Sequence, residues 1–134
     1  MINRLDHLVL TVSSIPATVE FYTEVLGMRA VEKSGRHALH FGSQKINLHQ
    51  TGHEFEPKAL RPLPGSADLC FIASVPLPGV IERLARSGVT LIDGPVLRNG
   101  ALGPMSSIYF RDPDGNLIEV SDYGSVLPDE GKKL

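Results

Sequence analysis

The feature that most constrains the fold of this chain is one order of elements that occurs twice. In the first half, residues 6–12 are mostly β-branched and apolar, which predicts a strand. A helix follows, and Gly27 is typical of the residue that ends a helix. Short strands are then predicted at about 28–33, 37–42 and 45–50. The first half therefore reads strand–helix–strand–strand–strand.

The second half repeats this order. Residues 67–73 predict a strand, Gly88 ends a second helix, and strands are predicted at about 89–93, 105–111 and 116–121. Three pairs of equivalent residues are each 61 positions apart: His7 and Asp68, Val19 and Val80, Gly27 and Gly88. A duplicated βαβββ unit explains this constant spacing.

The duplication predicts an α+β fold in which two βαβββ modules form a curved mixed sheet around a metal-binding cleft. A length of 134 residues suits one compact domain. The predicted boundaries are a single domain over 1–134, with module 1 at about 5–50, a linker at 51–66, module 2 at about 67–123 and a loose tail at 124–134.

Composition and charge exclude several classes of protein. Lys and Arg number 13 against 15 Asp and Glu, so the formal net charge of −2 does not favour nucleic acid or an anionic membrane as a partner. No apolar run approaches the ~20 residues of a membrane span, and no signal-peptide core is visible. Cys70 is the single cysteine, so no intrachain disulfide forms. We therefore expect a cytoplasmic protein.

Four polar residues stand near matching strand positions of the two halves. His7 and Asp68 lie in the first strand of each half, and His49 and Glu119 lie in the last. Strand alternation places each of them opposite an apolar packing face. If the two halves are symmetric, these side chains meet in a cleft and form a ligand set for Fe(II), Mn, Ni, Co or Zn. Each residue alone is more commonly structural, and only the joint placement favours a metal site.

The remaining candidates carry less information. His37, His40 and His53 do not share this placement and are interpreted as surface or core residues. Arg98 lies in a glycine-containing segment, 94–104, that is predicted to be a loop and a candidate lid. There Arg98 either meets an anionic group of a substrate or is solvated on a mobile surface loop.

Three segments carry a family signature. They are the opening strand Leu5–Val12, the "FY…LG" helix end within Thr18–Met28, and the closing segment "FRDPDGNLIE" at Phe110–Glu119. In this order they resemble the vicinal-oxygen-chelate superfamily of glyoxalases, bleomycin-resistance proteins and extradiol dioxygenases. The narrower resemblance is to its small glyoxalase-domain proteins. The resemblance covers roughly residues 5–123.

The resemblance implies a ligand set. In the superfamily, metal ligands come from the first and last strands of each module, which here carry His7, His49, Asp68 and Glu119. Bacterial glyoxalase-like sites use two His and two Glu. In this chain His49 stands where a carboxylate is usual, and Asp68 stands where His is usual. Because Asp is shorter than Glu, direct ligation by Asp68 stays open.

The resemblance also implies a reaction class. A divalent metal in these proteins chelates two oxygens of the substrate and stabilises developing negative charge. The leading expectation is a lyase or isomerase that acts on a small oxygenated molecule, with Asp68 or Glu119 moving a proton between adjacent carbons. The alternatives are an extradiol-type dioxygenase, a metal-free drug- or metabolite-binding protein, and a metal-binding regulatory protein without turnover. Since many relatives form dimers, we expect a homodimer.

Overall fold

A computed structural model of the chain describes residues 1–124. The tail predicted for 124–134 lies outside this range except for Gly124. The order strand–helix–strand–strand–strand occurs twice, which confirms the predicted α+β fold with two βαβββ modules. Each module builds a four-stranded mixed sheet of its own rather than a share of one continuous sheet.

The chain divides into two compact units. The first comprises Met1–Ala67 with Asp112–Asn116, and the second comprises Asp68–Arg111 with the residues from Leu117 onward. The turn at Asp112–Asn116 therefore groups with the first unit, although the strands on either side of it belong to the second. Within the described part of the chain, no helix is both long and apolar enough to cross a membrane.

The first unit contains one helix and one sheet. Its elements are β1 (His7–Val12), α1 (Ile15–Glu24), β2 (Arg29–Lys33), β3 (Arg36–Phe41) and β4 (Gln44–Gln50). The strand order is β1-β4-β3-β2, with β1 and β4 parallel and the other pairs antiparallel. The hydroxyl of Ser14 caps α1 by accepting a hydrogen bond from the Ala17 amide at 3.2 Å. Gly27 has a φ of 71°, as its predicted role at the helix end requires.

The second unit has the same plan. Its elements are β5 (Asp68–Ile72), α2 (Leu77–Arg86), β6 (Asp93–Gly100), β7 (Gly103–Arg111) and β8 (Leu117–Asp122). The strand order is β5-β8-β7-β6, with β5 and β8 parallel. The two units thus place equivalent strands in the same order.

Strand alternation gives each sheet an apolar face and a second face that we call the helix-free face. In the first sheet the apolar face carries Leu39, Ile46 and Leu48, which are at most 2% exposed, and α1 packs against β2, β3 and β4. In the second sheet Ile118 and Val120 play the same part, and α2 packs against β8. Every candidate metal ligand lies on a helix-free face, because each is offset by one residue from these apolar positions.

The prediction of a loop and candidate lid at 94–104 is wrong. Most of this segment forms β6 and the start of β7, which pair in antiparallel register with Arg98 opposite Met105. A shift of register between Asp93 and Val96 marks a β-bulge at the beginning of β6. Its glycines therefore serve strand geometry and a tight turn.

Candidate functional site

His49 is the candidate ligand with the most distinctive surroundings. It lies near the end of β4, opposite Thr11 of β1, and its side chain is 8% exposed. Among the described residues, nothing hydrogen-bonds its buried Nδ1 atom. The ring of Phe55 meets the imidazole edge-on, with the ring centroids 5.6 Å apart. A buried polar atom without a partner costs about 1–3 kcal/mol, so this nitrogen is suited to an external ligand.

Two cavities of the first unit are lined by His49. The first, of about 470 Å³, lies between β1 and the segment that follows β4, and it is also lined by Val9, Lys58 and Leu63. The second, of about 440 Å³, lies on the helix-free face beside β3 and β4. Both volumes are within the range of small-molecule sites. The imidazole is therefore accessible to a bound molecule despite its burial.

His7 lies apart from His49. It is exposed at the first position of β1, where it pairs with Lys45, and its Nδ1 atom lies 2.8 Å from a carboxylate oxygen of Asp6. His7 and His49 are offset by four positions along paired strands, or roughly 13 Å. Within the first unit the two histidines therefore do not converge on one point.

The strand register also revises the equivalence between the halves. Glu119 pairs with Cys70, which follows Asp68 by two residues. The residue that follows His7 by two pairs instead with Asn47. The structural counterpart of Glu119 is therefore Asn47, and His49 lies two positions farther along β4.

In the second unit, Glu119 lies on the helix-free face beside Cys70 and Tyr109. The partial burial of the Cys70 thiol raises its pKa, and the nearby Glu119 carboxylate adds to this, whereas a hydrogen bond with Ser121 acts in the opposite direction. Burial also raises the pKa of Tyr109, and the charge of Glu119 is the second cause. Both groups are thus protonated at neutral pH. The carboxylate additionally accepts a hydrogen bond from the Ser121 hydroxyl at 3.3 Å.

Arg98 holds this cluster in place. Its side chain is 15% exposed, and its Nε donates to the Tyr109 hydroxyl oxygen at 2.9 Å. A second nitrogen donates to the carbonyl of Leu97 at 3.0 Å, and a third lies 3.7 Å from Asp93. Its guanidinium is therefore engaged with the protein itself. The role expected of Arg98, contact with a substrate anion, remains a prediction.

Asp68 opens β5 on the same face and is exposed. It lies diagonally from Glu119, two positions along the paired strands, a separation of roughly 7–8 Å between Cα atoms. Across the described residues, no three His, Cys, Asp or Glu side chains form a group able to hold a metal ion. The ligand set His7, His49, Asp68 and Glu119 remains a prediction, to which His49 contributes an unpartnered nitrogen and Glu119 a carboxylate.

The family is established by comparison with known proteins. Residues 4–120 match the Glyoxalase/Bleomycin resistance protein/Dioxygenase superfamily, and the chain belongs to it. Among its relatives is the virulence protein STM3117 of Salmonella typhimurium, 60% identical over 92% of this chain and 86% of the relative. The crystal structure of that protein superimposes with a TM-score of 0.90 over 92% of this chain and 98% of the other.

Two further relatives differ in how close they are. The glyoxalase domain-containing protein RDO1 of Mycosarcoma maydis is 54% identical over 91% of this chain and 69% of its own length. Lactoylglutathione lyase from Agrobacterium tumefaciens is only 20% identical, with a TM-score of 0.70 over 92% of this chain and 96% of the other. The latter shows a shared fold and no more.

The sequence interpretation did not assign three neighbours of the candidate ligands to the site. Tyr109 and Ser121 share the helix-free face with Glu119, and Asn47 occupies the position equivalent to Glu119. The sequence does carry a signal for these residues, because side chains alternate between the two faces of a strand. Residues 105, 107 and 109 of β7 therefore lie on the same face as residues 117, 119 and 121 of β8. Only the register between strands reveals which of these residues are neighbours.

Proposed function

We propose that the chain is a divalent-metal-dependent lyase or isomerase of the glyoxalase type that acts on a small oxygenated molecule in the cytoplasm. The observation that carries the proposal is the buried Nδ1 atom of His49, which lacks a hydrogen-bond partner among the described residues, in a residue that lines two cavities. Imidazole nitrogen is a common ligand of Zn, Ni, Co and Fe. Binding an ion or a ligand donor there removes the cost of an unsatisfied buried atom.

The remaining ligands are assigned to His7, Asp68 and Glu119. Because no three such donors are grouped within the described residues of one chain, we propose that a homodimer completes the ligand set. A bound divalent ion would supply Lewis acidity, polarising a substrate oxygen and stabilising its negative charge. The chain's own contribution is then the orientation of the substrate and the handling of its proton.

Glu119 is the proposed base. Its carboxylate takes a proton from a carbon next to a carbonyl, and the electron pair of the broken C–H bond moves onto the carbonyl oxygen. The same carboxylate returns the proton to the former carbonyl carbon while the hydroxyl proton passes from the α-oxygen to the former carbonyl oxygen, so no oxidant or reductant is needed. Arg98 and Tyr109 position it, because Tyr109 is held by Arg98 at 2.9 Å and interacts with Glu119.

Proton exchange in D₂O tests this role. We expect the metal-loaded protein to exchange the α-proton of at least one member of a panel of α-hydroxyketones and α-hydroxyaldehydes, followed by ¹H NMR. Glu119→Gln should lower that rate by about 100-fold or more, because it removes the base without changing the size of the side chain. The control is Glu82→Gln on the exposed surface of α2, which should exchange at the rate of the unmodified protein. Equal rates for the two variants, or no exchange across the panel, contradict the proposal.

A second candidate function is metal-free binding of a drug or metabolite. The two cavities of the first unit favour it, since both are large enough for a small molecule and share His49 in their walls. An extradiol-type dioxygenase is the third candidate, and it differs from the others in requiring Fe(II). The metal that the protein retains separates these three functions.

A further inference from the structure

The second cavity of the first unit is lined by basic side chains, and we call it the basic pocket. Its volume is about 440 Å³. The cationic and imidazole side chains in its walls are Lys33, Arg36, His37, His40, Lys45 and His49. No carboxylate of residues 1–124 is among its lining residues, although the chain as a whole carries a formal charge of −2. Positive charge is therefore concentrated in this pocket, although the net charge of the chain is negative.

Strand pairing explains how these charges come together. Lys33 of β2 pairs directly with Arg36 of β3, and His40 of β3 pairs directly with Lys45 of β4. Alternation places all four on the helix-free face. Like charges directly opposite each other in a sheet are destabilising, and Lys33 and Arg36 form such a pair. The arrangement therefore has a cost that a bound anion would remove.

The cations of the pocket form no close ion pair among the described residues, although the carboxylate of Asp6 interacts electrostatically with Lys45 over a longer distance. Within residues 1–124, no carboxylate lies within 4.0 Å of the side-chain nitrogens of Lys33, Arg36 or Lys45. Two nearby acidic residues are engaged elsewhere. Glu32 accepts from the Gly35 amide at 2.7 Å, and Glu54 accepts from the Gly52 amide at 2.8 Å.

The pocket also has a rigid aromatic wall. The guanidinium carbon of Arg36 lies 4.0 Å from the centre of the Phe55 ring, a cation–π contact that orients its donors. Phe55 also contacts the His49 ring, with the ring centroids 5.6 Å apart. Val31 and Ala38 add small apolar patches to the lining. The pocket thus combines an oriented cation with an apolar surface and the side chain of His49.

We propose that the basic pocket binds the oxyanion of a small organic molecule, a carboxylate or a phosphate ester, whose carbon skeleton rests against Phe55. Arg36 and the directly paired Lys33 are the principal contacts, since a guanidinium donates two parallel hydrogen bonds to a planar oxyanion and an ammonium adds a compact charge. The inference deepens the proposed function by naming the charge of its substrate. It rests on that function only in taking the bound molecule to be the substrate.

NMR titration of the full-length, metal-free protein tests the proposal. The probes are phthalate and phenyl phosphate, with uncharged phthalamide as the matched control. We expect both anions, but not phthalamide, to shift the amide signals of β3 and β4, with affinity falling as salt is raised. Comparing the two anions shows whether carboxylate or phosphate is preferred.

Variants locate the binding. Arg36→Gln and Lys33→Gln should each weaken anion binding about tenfold, equivalent to ~1.4 kcal/mol. Arg29→Gln removes a positive charge from the same sheet but outside the pocket lining, and it should change affinity less than about twofold.

Three results would overturn the inference: no saturable binding of either anion, equal binding of phthalamide, or equal loss in all three variants. Failure here is separable from failure of the proposed function. If the protein retains metal through His49 and exchanges protons but binds neither anion, anion binding in the basic pocket is refuted and the proposed function is not.

Discussion

Asp112→Ala is expected to lower the free energy of unfolding by about 3–5 kcal/mol, because it removes the acceptor of four hydrogen bonds. One oxygen of Asp112 accepts from the amides of Asp114 and Asn116 at 2.9 and 3.0 Å. The other accepts from the Tyr22 hydroxyl and the Asn116 side chain, both at 2.7 Å. Asp112, Tyr22 and Asn116 are all buried, so water cannot replace the lost acceptor.

The matched control is Asp114→Ala in the same turn. Among residues 1–124, the Asp114 carboxylate accepts only from the Ser13 amide, at 3.2 and 3.3 Å, so a loss of about 1 kcal/mol or less is expected. Urea unfolding of both variants measures the difference. Equal midpoints would show that the buried network contributes nothing beyond the turn itself.

The same network predicts a loss of stability in alkali. Burial raises the pKa of Tyr22 above its usual value, and the charge of Asp112 adds to the effect. A raised pKa in the folded state means that the folded protein binds more protons than the unfolded chain once the pH exceeds about 10. The stabilisation is therefore complete below that pH and is lost as the pH rises above it. Tyr22→Phe should remove this part of the pH dependence.

Gly94→Ala is expected to cost about 4 kcal/mol or more, because the added methyl group has no room and the backbone does not tolerate it. Gly94 has a φ of +100°, and a Cβ there would lie 2.4 Å from the carbonyl oxygen of Ser107 and 2.8 Å from the Cα of Ile108. Both are backbone atoms of β7, so relief requires separating β6 from β7.

Gly88→Ala separates steric clash from backbone strain. Gly88 also has a positive φ, +74°, but no atom in the described part of the chain lies within 4 Å of a Cβ built there. It should cost about 1–2 kcal/mol, the penalty of a left-handed conformation alone. Thermal unfolding of both variants provides the comparison. If Gly94→Ala were no worse than Gly88→Ala, the close approach of β6 to β7 would be refuted.

Much of the fold was predictable because its signals are local. Ser14 and Gly27 bound the first helix by capping and by a left-handed end, and both act within a few residues. The constant spacing between the halves then predicts that the second unit repeats the first. The "DPDG" turn is the most specific family signature. Its first residue, Asp112, accepts the hydrogen bonds of the buried network in this turn, so the signature has a structural role here.

The site was less predictable because it depends on register. Alternation correctly assigned His49 and Glu119 to helix-free faces, but the equivalence of the two halves slips by two residues within β4. A shift of the register by two residues leaves each side chain on the same face of the sheet, so the pattern of apolar residues does not reveal it. The prediction of a loop at 94–104 was wrong for a different reason. Its glycines favoured a loop, whereas Gly94 is required by the close approach of two strands.

Metal content is the most direct test of the central claim, that this protein binds a divalent ion through His49. The untagged protein, purified without chelators, is analysed for Ni, Co, Mn, Fe and Zn alongside His49→Gln and the exposed-residue control His53→Gln. We predict about one equivalent per chain in the unmodified protein and in the control, and its loss in His49→Gln. A protein that is empty and takes up none of the five metals, or a His49→Gln variant that keeps its metal, would contradict the account. An empty protein would make metal-free ligand binding the leading function.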